Sequence, residues 1–335
     1  MIKIIVGFIL SFAIALILMP LIIKFIRKLS CSQTILKYVE EHKSKQGTPT
    51  MGGVVFFIST LLVVVWLVDY STPLAMSVGV GLGFAIIGFM DDFIKVKLKQ
   101  NLGLRPYQKI IGQVGIALIL AIYIYLFSPN KGVIYLPFTF KAIDLGCWII
   151  PLVIIVCLAT TNSVNLTDGL DGLAGGVSVV YCGIFIALTT IFATLMFRAG
   201  EIDSFVTMYK DIAILLAVFM GSIMAFLVFN TNKASIFMGD VGSLGIGGLF
   251  ASTACIMGFE LMLAIVGIMF VVSALSVIIQ VAYFKKTKGK RMFKMAPIHH
   301  HFQMCGHSEA KIGYIYQIIT LMMGLITIVL TLLFL

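Results

Sequence analysis

Charged side chains are scarce in this chain of 335 residues, and acidic ones are the scarcest, with 14 Asp and Glu against 24 Lys and Arg. Only 11% of the residues are charged, 60% are hydrophobic, and the mean hydropathy is +1.10. Soluble domains carry about 25% charged and about 45–50% apolar residues. The shortage of charge therefore excludes a soluble globular protein and predicts an integral membrane protein.

Patterns typical of other protein classes are also missing. The six cysteines form no C-x-x-C pair or other metal spacing, which argues against a disulfide framework or a cysteine metal site. No polar stretch is long enough to build its own core, so we expect one membrane domain over residues 1–335. No strand precedes the glycines near residue 240, which excludes a dinucleotide-binding fold.

Long apolar runs are what the sequence does contain. Ten stretches of roughly 17 to 26 residues are each long enough to cross about 30 Å of hydrocarbon as a helix. The first has no obvious cleavage site, so we expect it to be retained as a span. We predict an all-α, polytopic membrane protein with about ten transmembrane helices, near residues 4–26, 51–69, 74–90, 110–127, 145–161, 172–197, 212–229, 241–259, 261–284 and 312–335.

The basic residues predict the orientation of these spans. Ten spans place both termini on one side, and the loops of the opposite face hold 18 of the 24 Lys and Arg residues. By the positive-inside rule that face is cytoplasmic and both termini are on the outer side. The net charge of +10 then reflects topology and contact with anionic membrane lipids, above all at residues 285–294, and not binding of nucleic acid.

Polar motifs collect on the same predicted face. If they were only solvated loop tips, they should be shared between both sides of the membrane. All of them instead lie at or beside cytoplasmic ends of spans: GTPTMGG (47–53), DDFIKVK (91–97), NSVNLTDGLDGLA (162–174), NTNKASIFMGDVGS (230–243) and PIHHHF (297–302).

Asp91 and Asp92 follow the third predicted span without a polar linker, so their carboxylates should lie at the membrane interface. One interpretation is helix termination in water, with Lys95, Lys97 and Lys99 as partners. The other is a metal or phosphate site, because Mg²⁺ commonly binds one or two carboxylates together with substrate phosphates. Both interpretations stay open for this pair alone.

Asp168 and Asp171 would share a helical face if the sixth span began near Asp168. Helix capping would explain one of these acids. It explains Asn162, Asn165 and the second acid less well, and amides with carboxylates are suited to hydrogen-bonding a sugar or a base.

Asp240 is surrounded by glycines, which could admit a phosphate at a helix start. More often such glycines allow close packing of helices in a membrane. His299, His300 and His301 are consecutive, so a regular helix could not direct all three to one metal. We interpret them as loop side chains that contact phosphates or the acids.

The five acids would repel one another if they converged without compensation. A divalent cation or basic groups would have to balance them, and Lys45, Lys109 and the histidines are on the same predicted face. This combination favours phosphoryl transfer between a cytoplasmic polyanion and a lipid phosphate, which depends mainly on positioning and charge stabilisation.

Taken jointly, GTPTMGG, GFMDDFIKV, NLTDGLDGLA, IFMGD and PIHHHF resemble, in order and spacing, the phospho-N-acetylmuramoyl-pentapeptide transferases within the polyprenyl-phosphate N-acetylhexosamine-1-phosphate transferases. The resemblance covers nearly the whole chain, and PIHHHF is similar to the muramoyl-pentapeptide branch. It implies transfer of phospho-MurNAc-pentapeptide from UDP-MurNAc-pentapeptide to undecaprenyl phosphate, giving lipid I and UMP with Mg²⁺ as cofactor. It also implies ten spans in a bacterial plasma membrane, a cytoplasmic cleft and a homodimer.

The same resemblance implies roles for individual residues. Asp240 would bind the metal, Asp91 would be the base that deprotonates the lipid phosphate, with Asp92 beside it, and Lys109 would contact phosphates. Phe237 would stack on uracil, and His299, His300 and His301 would support the diphosphate or substrate side. The nucleoside and sugar-phosphate region would be lined by Lys45, Thr50, Asn165, Asp168, Asp171, Asn230 and Gln280.

The chain departs from the family pattern in three places, one of which is the segment CGHSEAKIGYIYQ (305–317), which lacks the Trp, Pro and Arg expected nearby. Lys233-Ala-Ser stands where Pro-Ala is usual, and Gln303 stands where Glu is common. Three alternatives to the muramoyl transferase stay open at this point: transfer of GlcNAc-1-phosphate or a related sugar phosphate, a transporter or channel with intramembrane acids, and a non-catalytic lipid-binding scaffold. Between direct attack and a phospho-aspartate on Asp240, we favour direct attack.

Overall fold

The structure, a computed structural model, describes residues 1–28, 47–98, 102–139, 141–200, 203–231 and 233–334. Within them the chain is almost entirely helical, which confirms the all-α fold class. The helices are α1 (Ile2–Lys28), α2 (Val54–Leu67), α3 (Thr72–Lys97), α4 (Pro106–Leu126), α5 (Ile149–Thr167), α6 (Leu173–Arg198), α7 (Asp203–Asn230), α8 (Gly239–Met257), α9 (Glu260–Val266), α10 (Ile268–Lys286), α11 (Ile298–Gln303) and α12 (Glu309–Phe334).

Nine helices of the described residues are long and apolar enough to cross a membrane. A tenth apolar helix, α2, has 14 residues. At 1.5 Å per residue it is about 21 Å long, less than the hydrocarbon thickness. The region expected as a ninth span, 261–284, is divided at Gly267 into the short α9 and the long α10. The protein is therefore a multi-pass membrane protein with about ten membrane helices, as predicted.

Two helices extend further at their polar ends than predicted. Helix α3 continues to Lys97 instead of ending at 90, and α5 continues to Thr167 instead of ending at 161. Hydropathy falls where charged and amide side chains begin, but the helical backbone continues because these side chains are paired with neighbouring helices. Asp91 and Asp92 consequently lie inside the last two turns of α3, and not beyond its end.

The sixth helix does not begin near Asp168, so the condition for Asp168 and Asp171 to share a helical face is not met. Asp168 is the C-cap residue of α5, with its N–H donating to the Val164 carbonyl at 3.2 Å. Helix α6 starts only at Leu173, after Gly172, whose φ of +72° favours glycine. Asp168 and Asp171 therefore lie in the connection between the helices, residues 168–172, which we name the acidic loop. They do not share a helical face.

Helix α8 lies at the centre of the bundle. Every residue from 241 to 257 is buried, whereas only about a fifth of the apolar part of α1, α10 and α12 is buried by protein. The outer helices therefore present their apolar surface to lipid. The inner helix carries small residues, which let neighbouring backbones approach closely where hydrophobicity alone would not distinguish lipid from protein.

The glycines of α8 face three different neighbours, which supports the packing interpretation. A Cβ on Gly242 would lie 3.0 Å from the Cα of Gly53, just before α2, and a Cβ on Gly247 would lie 2.5 Å from the Thr161 Cα in α5. A Cβ on Gly248 would press against the Phe84 ring of α3. Close contact through these glycines fixes the start of α8 relative to α2, α3 and α5.

A small antiparallel hairpin closes the end of the bundle away from Asp240. Its strands β1 (Val133–Tyr135) and β2 (Ala142–Asp144) pair with Val133 opposite Asp144. Tyr135 donates its backbone N–H to the Gly258 carbonyl at 2.9 Å and packs its ring on Phe259. The hairpin thus binds the end of α8 opposite the acidic residues. Sequence reasoning did not predict it.

Candidate active site

Three carboxylates from two helices converge at one end of the bundle. Asp91 and Asp92 belong to the last turns of α3, and Asp240 belongs to the first turn of α8. One oxygen atom from each of the three carboxylates lies within 4.8 Å of the other two, and we call these residues the acidic cluster. A Cβ on Gly88 of α3 would lie 2.1 Å from the Asp240 carbonyl oxygen, so backbone contact sets this arrangement.

Backbone N–H groups hold the two α3 carboxylates in different directions. Asp91 accepts a hydrogen bond from the Leu104 N–H at 2.9 Å, and Asp92 accepts one from the Val241 N–H at 3.2 Å. Asp92 therefore connects α3 to the start of α8. Gly239, with a φ of +76°, lets the chain pass close to Asp92 there, because a Cβ would lie 2.4 Å from its Oδ2.

Two lysines enter the acidic cluster. The Lys95 ammonium contacts Asp91, lies 3.0 Å from Asp240 Oδ2 and lies 3.8 Å from Asp92 Oδ1. The Lys109 ammonium, from the first turns of α4, lies 2.8 Å from the same Asp240 oxygen. Two positive charges thus face three negative ones, which reduces the repulsion expected for convergent acids.

The second oxygen of Asp240 is held by an amide. Asn165 donates from Nδ2 to Asp240 Oδ1 at 2.7 Å and to Ser243 Oγ at 2.8 Å. Asn165 was predicted to line the nucleoside and sugar-phosphate region, and the structure places it against the acidic cluster. Asp240 is therefore oriented by groups from α3, α4 and α5.

The exposed part of the acidic cluster is the edge formed by Asp240 and the two lysines. Asp91 and Asp92 are 3% and 2% exposed, whereas the side chains of Asp240, Lys109 and Lys95 are 17%, 18% and 23% exposed. A substrate can therefore approach along the edge formed by Asp240 and the two lysines.

The donor set of the acidic cluster fits a hard divalent cation. Three carboxylates supply oxygen ligands of the kind that Mg²⁺ prefers. In the part of the chain that the structure describes, this is the one group of three or more His, Cys, Asp or Glu residues able to hold a metal together. Among the described residues, the three histidines do not form a second such group.

The acidic loop is held against the segment that precedes α8. Asp171 accepts a hydrogen bond from the Ala234 N–H at 3.1 Å, and Asn230 accepts one from the Gly172 N–H at 3.0 Å. Asn230 also donates to the Ile236 carbonyl at 2.9 Å. Asn230 therefore connects the end of α7 with the acidic loop and with the segment that precedes α8. The acidic loop and that segment both contain residues predicted for the binding region.

Asp168 lies at the inner end of the acidic loop. Burial, together with the nearby charges of Asp240 and Asp171, raises the pKa of Asp168 to about 7. A carboxyl group in this environment retains its proton at pH values far above the ordinary pKa of aspartate. Near neutral pH, Asp168 can therefore donate a hydrogen bond as well as accept one.

His299, His300 and His301 lie on the short helix α11 and not in a loop, which corrects that part of the prediction. We call α11 the histidine helix. His299 is fully buried against Gly169 and Tyr316, and burial lowers its pKa to about 3, with His300 adding to the effect. His301 instead accepts a hydrogen bond from the Lys294 N–H at 3.2 Å. The three rings face different surroundings.

Four further predicted residues differ in their surroundings. Lys45 lies outside the described residues. Thr50 is buried beside Gly239, and the backbone of Phe237 pairs with that of Pro49 and Gly52. Gln280 accepts hydrogen bonds from the Met292 and Phe293 N–H groups at 3.0 and 2.9 Å, so it supports the segment before the histidine helix. Roles in substrate binding stay predictions for all four.

Sequence reasoning missed two residues beside the acidic cluster. Lys95 was weighed only as a partner for Asp91 and Asp92 at a helix end, yet it contacts all three acids. Its spacing of four and three residues from the two acids on one helix was the available signal. Ser243 lies three residues after Asp240 and contacts Asn165, which no pattern in the sequence indicated.

Comparison with known proteins agrees with this geometry. The family model described as glycosyl transferase family 4 matches residues 74–258, which include the whole acidic cluster. The phospho-N-acetylmuramoyl-pentapeptide-transferase signature 1 matches residues 45–57, of which Gly52 and Gly53 bond to the backbone just before α8. Both matches fall on segments that form or support the site.

Relatives of the same name match along nearly the whole chain. The phospho-N-acetylmuramoyl-pentapeptide-transferase of Clostridioides difficile (strain 630) is 40% identical over 320 residues, covering 95% of each chain. That of Halalkalibacterium halodurans is 40% identical, covering 96% of this chain and 95% of its own. That of Clostridium botulinum (strain Alaska E43 / Type E3) is 43% identical, covering 94% and 93%. The chain belongs to the phospho-N-acetylmuramoyl-pentapeptide-transferase family.

Proposed function

We propose that this protein transfers phospho-MurNAc-pentapeptide from UDP-MurNAc-pentapeptide to undecaprenyl phosphate, giving lipid I and UMP in peptidoglycan biosynthesis. The observation that carries the proposal is the acidic cluster, whose three carboxylates meet Lys95 and Lys109 at one end of a membrane bundle. Membership of the transferase family supports the choice of substrates. A lipid phosphate and a nucleotide sugar can meet at such an edge because it borders both membrane and solvent.

Mg²⁺ is the proposed cofactor, held by Asp240 with Asp91 and Asp92 beside it. Bound there, the ion would neutralise phosphate oxygens and stabilise the charge that develops during transfer. Lys95 and Lys109 have contacts to Asp240 that they could exchange for contacts to phosphates. Both ammonium groups are partly exposed, so their charge is available at the open edge of the cluster.

The proposed reaction is direct displacement at phosphorus. An oxygen of undecaprenyl phosphate forms a bond to the sugar-linked phosphorus, and the bond from that phosphorus to the UMP oxygen breaks, so that UMP leaves with the electron pair. Asp91 is the proposed base that removes the proton from the lipid phosphate. We favour direct attack over a phospho-aspartate on Asp240, because Asp240 is held by two lysines and Asn165 and is a poor free nucleophile.

The acidic loop, Asn230, Phe237 and the histidine helix form the proposed binding region for the nucleotide and sugar phosphate. A protonated Asp168 could donate a hydrogen bond to a ligand oxygen. We also propose a single membrane domain, a cytoplasmic site, termini on the outer side and a homodimer. The last of these rests on the family resemblance alone.

The deciding experiment is turnover of UDP-MurNAc-pentapeptide by purified protein with undecaprenyl phosphate, with and without Mg²⁺. We expect UMP and lipid I to form together and only with the metal. UDP-GlcNAc serves as the competing substrate. Acceptance of UDP-GlcNAc with refusal of the muramoyl substrate would reassign the protein to GlcNAc-1-phosphate transfer, and ion-driven uptake without release of UMP would support a transporter.

A further inference from the structure

Glu309, the first residue of α12, contacts two of the segments assigned to the binding region. Its Oε2 accepts a hydrogen bond from the Asp171 N–H of the acidic loop at 3.3 Å. Its Oε1 accepts one from the Gln303 Nε2 group, at the end of the histidine helix, at 3.5 Å. Glu309 belongs to none of the five polar motifs, but its two contacts connect the acidic loop with the histidine helix.

The contact with Glu309 orients the Gln303 amide. A carboxylate only accepts hydrogen bonds, so the NH₂ group of Gln303 must face Glu309. The Gln303 Oε1 atom then faces His300, whose Nδ1 lies 3.1 Å away. Because an amide oxygen also only accepts, Nδ1 of His300 must carry a proton. One carboxylate thus determines the protonation of a ring two contacts away.

The acidic loop and the histidine helix also contact each other directly. A Cβ on Gly169 would lie 3.0 Å from the His300 Nε2 atom and closer still to His299. Asn230 and Ala234 hold the loop from the α7 side, and Glu309 holds it from the α12 side. The loop is therefore clamped between two supports, of which Glu309 is the one that also reaches the histidine helix.

We propose that Glu309 is a positioning residue, which fixes the Gln303 amide, through it the Nδ1–H form of His300, and at the same time the acidic loop. The presence of Gln303 makes this role necessary. A carboxylate at position 303 would offer an acceptor to His300 with either oxygen, whereas an amide must be turned the right way. The consequence for catalysis rests on the proposed function, because that function assigns both segments to substrate binding.

The first test uses the unsubstituted protein. Histidine labelled with ¹⁵N in its ring reports which nitrogen carries the proton, and His300 is assigned by comparison with His300→Asn. We expect a protonated Nδ1 at a pH of about 8, where an ordinary histidine is neutral. A His300 ring protonated at Nε2 alone would overturn the proposal without any change to Glu309.

The second test changes the donor pattern while keeping the shape. In Glu309→Gln, the new amide cannot accept from both Asp171 and Gln303, so Gln303 turns its NH₂ group toward His300 and the Nδ1–H population falls. The double variant Gln303→Glu with Glu309→Gln places a donor at position 309 and an acceptor at position 303, so that position 303 again accepts from His300. We expect it to recover the Nδ1–H signal. An unchanged signal in the single variant, or no recovery in the double one, would count against the role.

Activity is measured together with the ¹⁵N signal of the His300 ring. We expect kcat/KM for lipid I formation to fall about ten-fold in Glu309→Gln and to recover in the double variant. Glu260→Gln, the same change in α9 at the other end of the bundle, should leave both readouts unchanged.

If the ring responds as expected but no muramoyl substrate is turned over, the proposed function fails and the positioning role stands. Activity that falls while the ring signal stays constant overturns the role.

Discussion

Asp240 is the residue through which the charged groups of the acidic cluster are connected. Lys95 and Lys109 share its Oδ2 atom, and Asn165 donates to its Oδ1 atom. Its place in the first turn of α8 adds the favourable helix dipole. A neutral side chain here would remove one of three negative charges while leaving the two lysines in position.

Asp240→Asn should therefore lower turnover by at least about 100-fold, because removal of one positioned charge from a transfer site typically costs this much. UMP release in detergent measures the effect. Asp144→Asn is the matched control, because Asp144 is exposed on the hairpin at the opposite end, where it accepts a hydrogen bond from Gly146. Turnover of the Asp240 variant within about two-fold of the unsubstituted protein would remove Asp240 from the mechanism.

The burial of His299 predicts how the stability of the fold depends on pH. In the unfolded chain its ring gains a proton below about pH 6.5, whereas burial lowers its folded pKa to about 3. Between these values the unfolded state binds more protons, so the contribution of His299 is complete above about pH 6.5 and is lost as the pH falls toward 3. His299→Asn should flatten the decline in unfolding temperature between pH 7.5 and about 5.

Asp168 should make stability depend on pH in the direction opposite to that of His299. Its folded pKa of about 7 exceeds the ordinary aspartate value, so the folded state binds more protons between these values. The stability that Asp168 contributes is therefore present at low pH and lost as the pH rises through 7. Asp168→Asn should change the pH slope of the unfolding temperature in the direction opposite to His299→Asn. Slopes that change in the same direction in both variants would contradict the assigned environments.

The residues of the site could be predicted where charge in an apolar chain made them conspicuous. Asp91, Asp92, Asp168, Asp171 and Asp240 were found in this way. Lys95 and Glu309 were not, because a charged residue near a helix end has an adequate explanation in solvent. Their contacts to residues 145 and 138 positions away depend on how the helices pack, which spacing along one chain does not report.

At the scale of helices, the position of the site depends on the contact between α3 and α8. Gly88 lies directly against the backbone of Asp240, with room for hydrogen but not for a methyl group. Gly79, two and a half turns earlier on α3, would meet nothing within 4 Å among the described residues if it carried a Cβ. The two glycines therefore allow the same substitution to be compared in one helix.

Gly88→Ala should separate α3 from α8, because its Cβ would lie 2.1 Å from the Asp240 carbonyl oxygen and backbone cannot yield as a flexible side chain can. Overpacking of this kind typically costs about 1–3 kcal/mol. We expect a lower unfolding temperature and at least a ten-fold loss of kcat/KM, since about 1 Å of misplacement can cost that much. Gly79→Ala should be neutral or slightly stabilising. Equal behaviour of the two variants would mean that this helix contact does not set the site.

Helix existence could be predicted from hydropathy, whereas the polar ends of the helices could not. Asp91 and Asn165 were expected beyond the ends of their spans and lie inside α3 and α5. A falling hydropathy indicates where lipid contact ends, and a helix continues past that point if neighbours satisfy its polar side chains. The hairpin at 133–144 gave no signal because three-residue strands are too short for an alternating pattern.

At the scale of the whole molecule, the five polar motifs were predicted to meet on one face, and their described parts do meet. Contacts between Asp240 and Asn165, between Asp171 and Ala234, and between Gly169 and His299 join segments far apart in sequence. The basic loops on the same face predict that it is cytoplasmic. This orientation can be measured directly.

Two native cysteines can measure it. Cys305 follows the histidine helix at the site end and is exposed, and Cys147 is exposed beside the hairpin at the opposite end. Cys157, Cys182 and Cys255 are buried. With Cys31 replaced by Ser, a membrane-impermeant thiol reagent added to right-side-out vesicles should label Cys147 and spare Cys305.

Inside-out vesicles should give the reverse pattern. Cys147→Ser and Cys305→Ser, each made in the background without Cys31, identify the labelled residue in either preparation. Labelling of Cys305 from the outside would place the acidic cluster away from the cytoplasm, where a nucleotide sugar is supplied. The proposed reaction would then lack access to its soluble substrate, even if every side-chain contact in the cluster were correct.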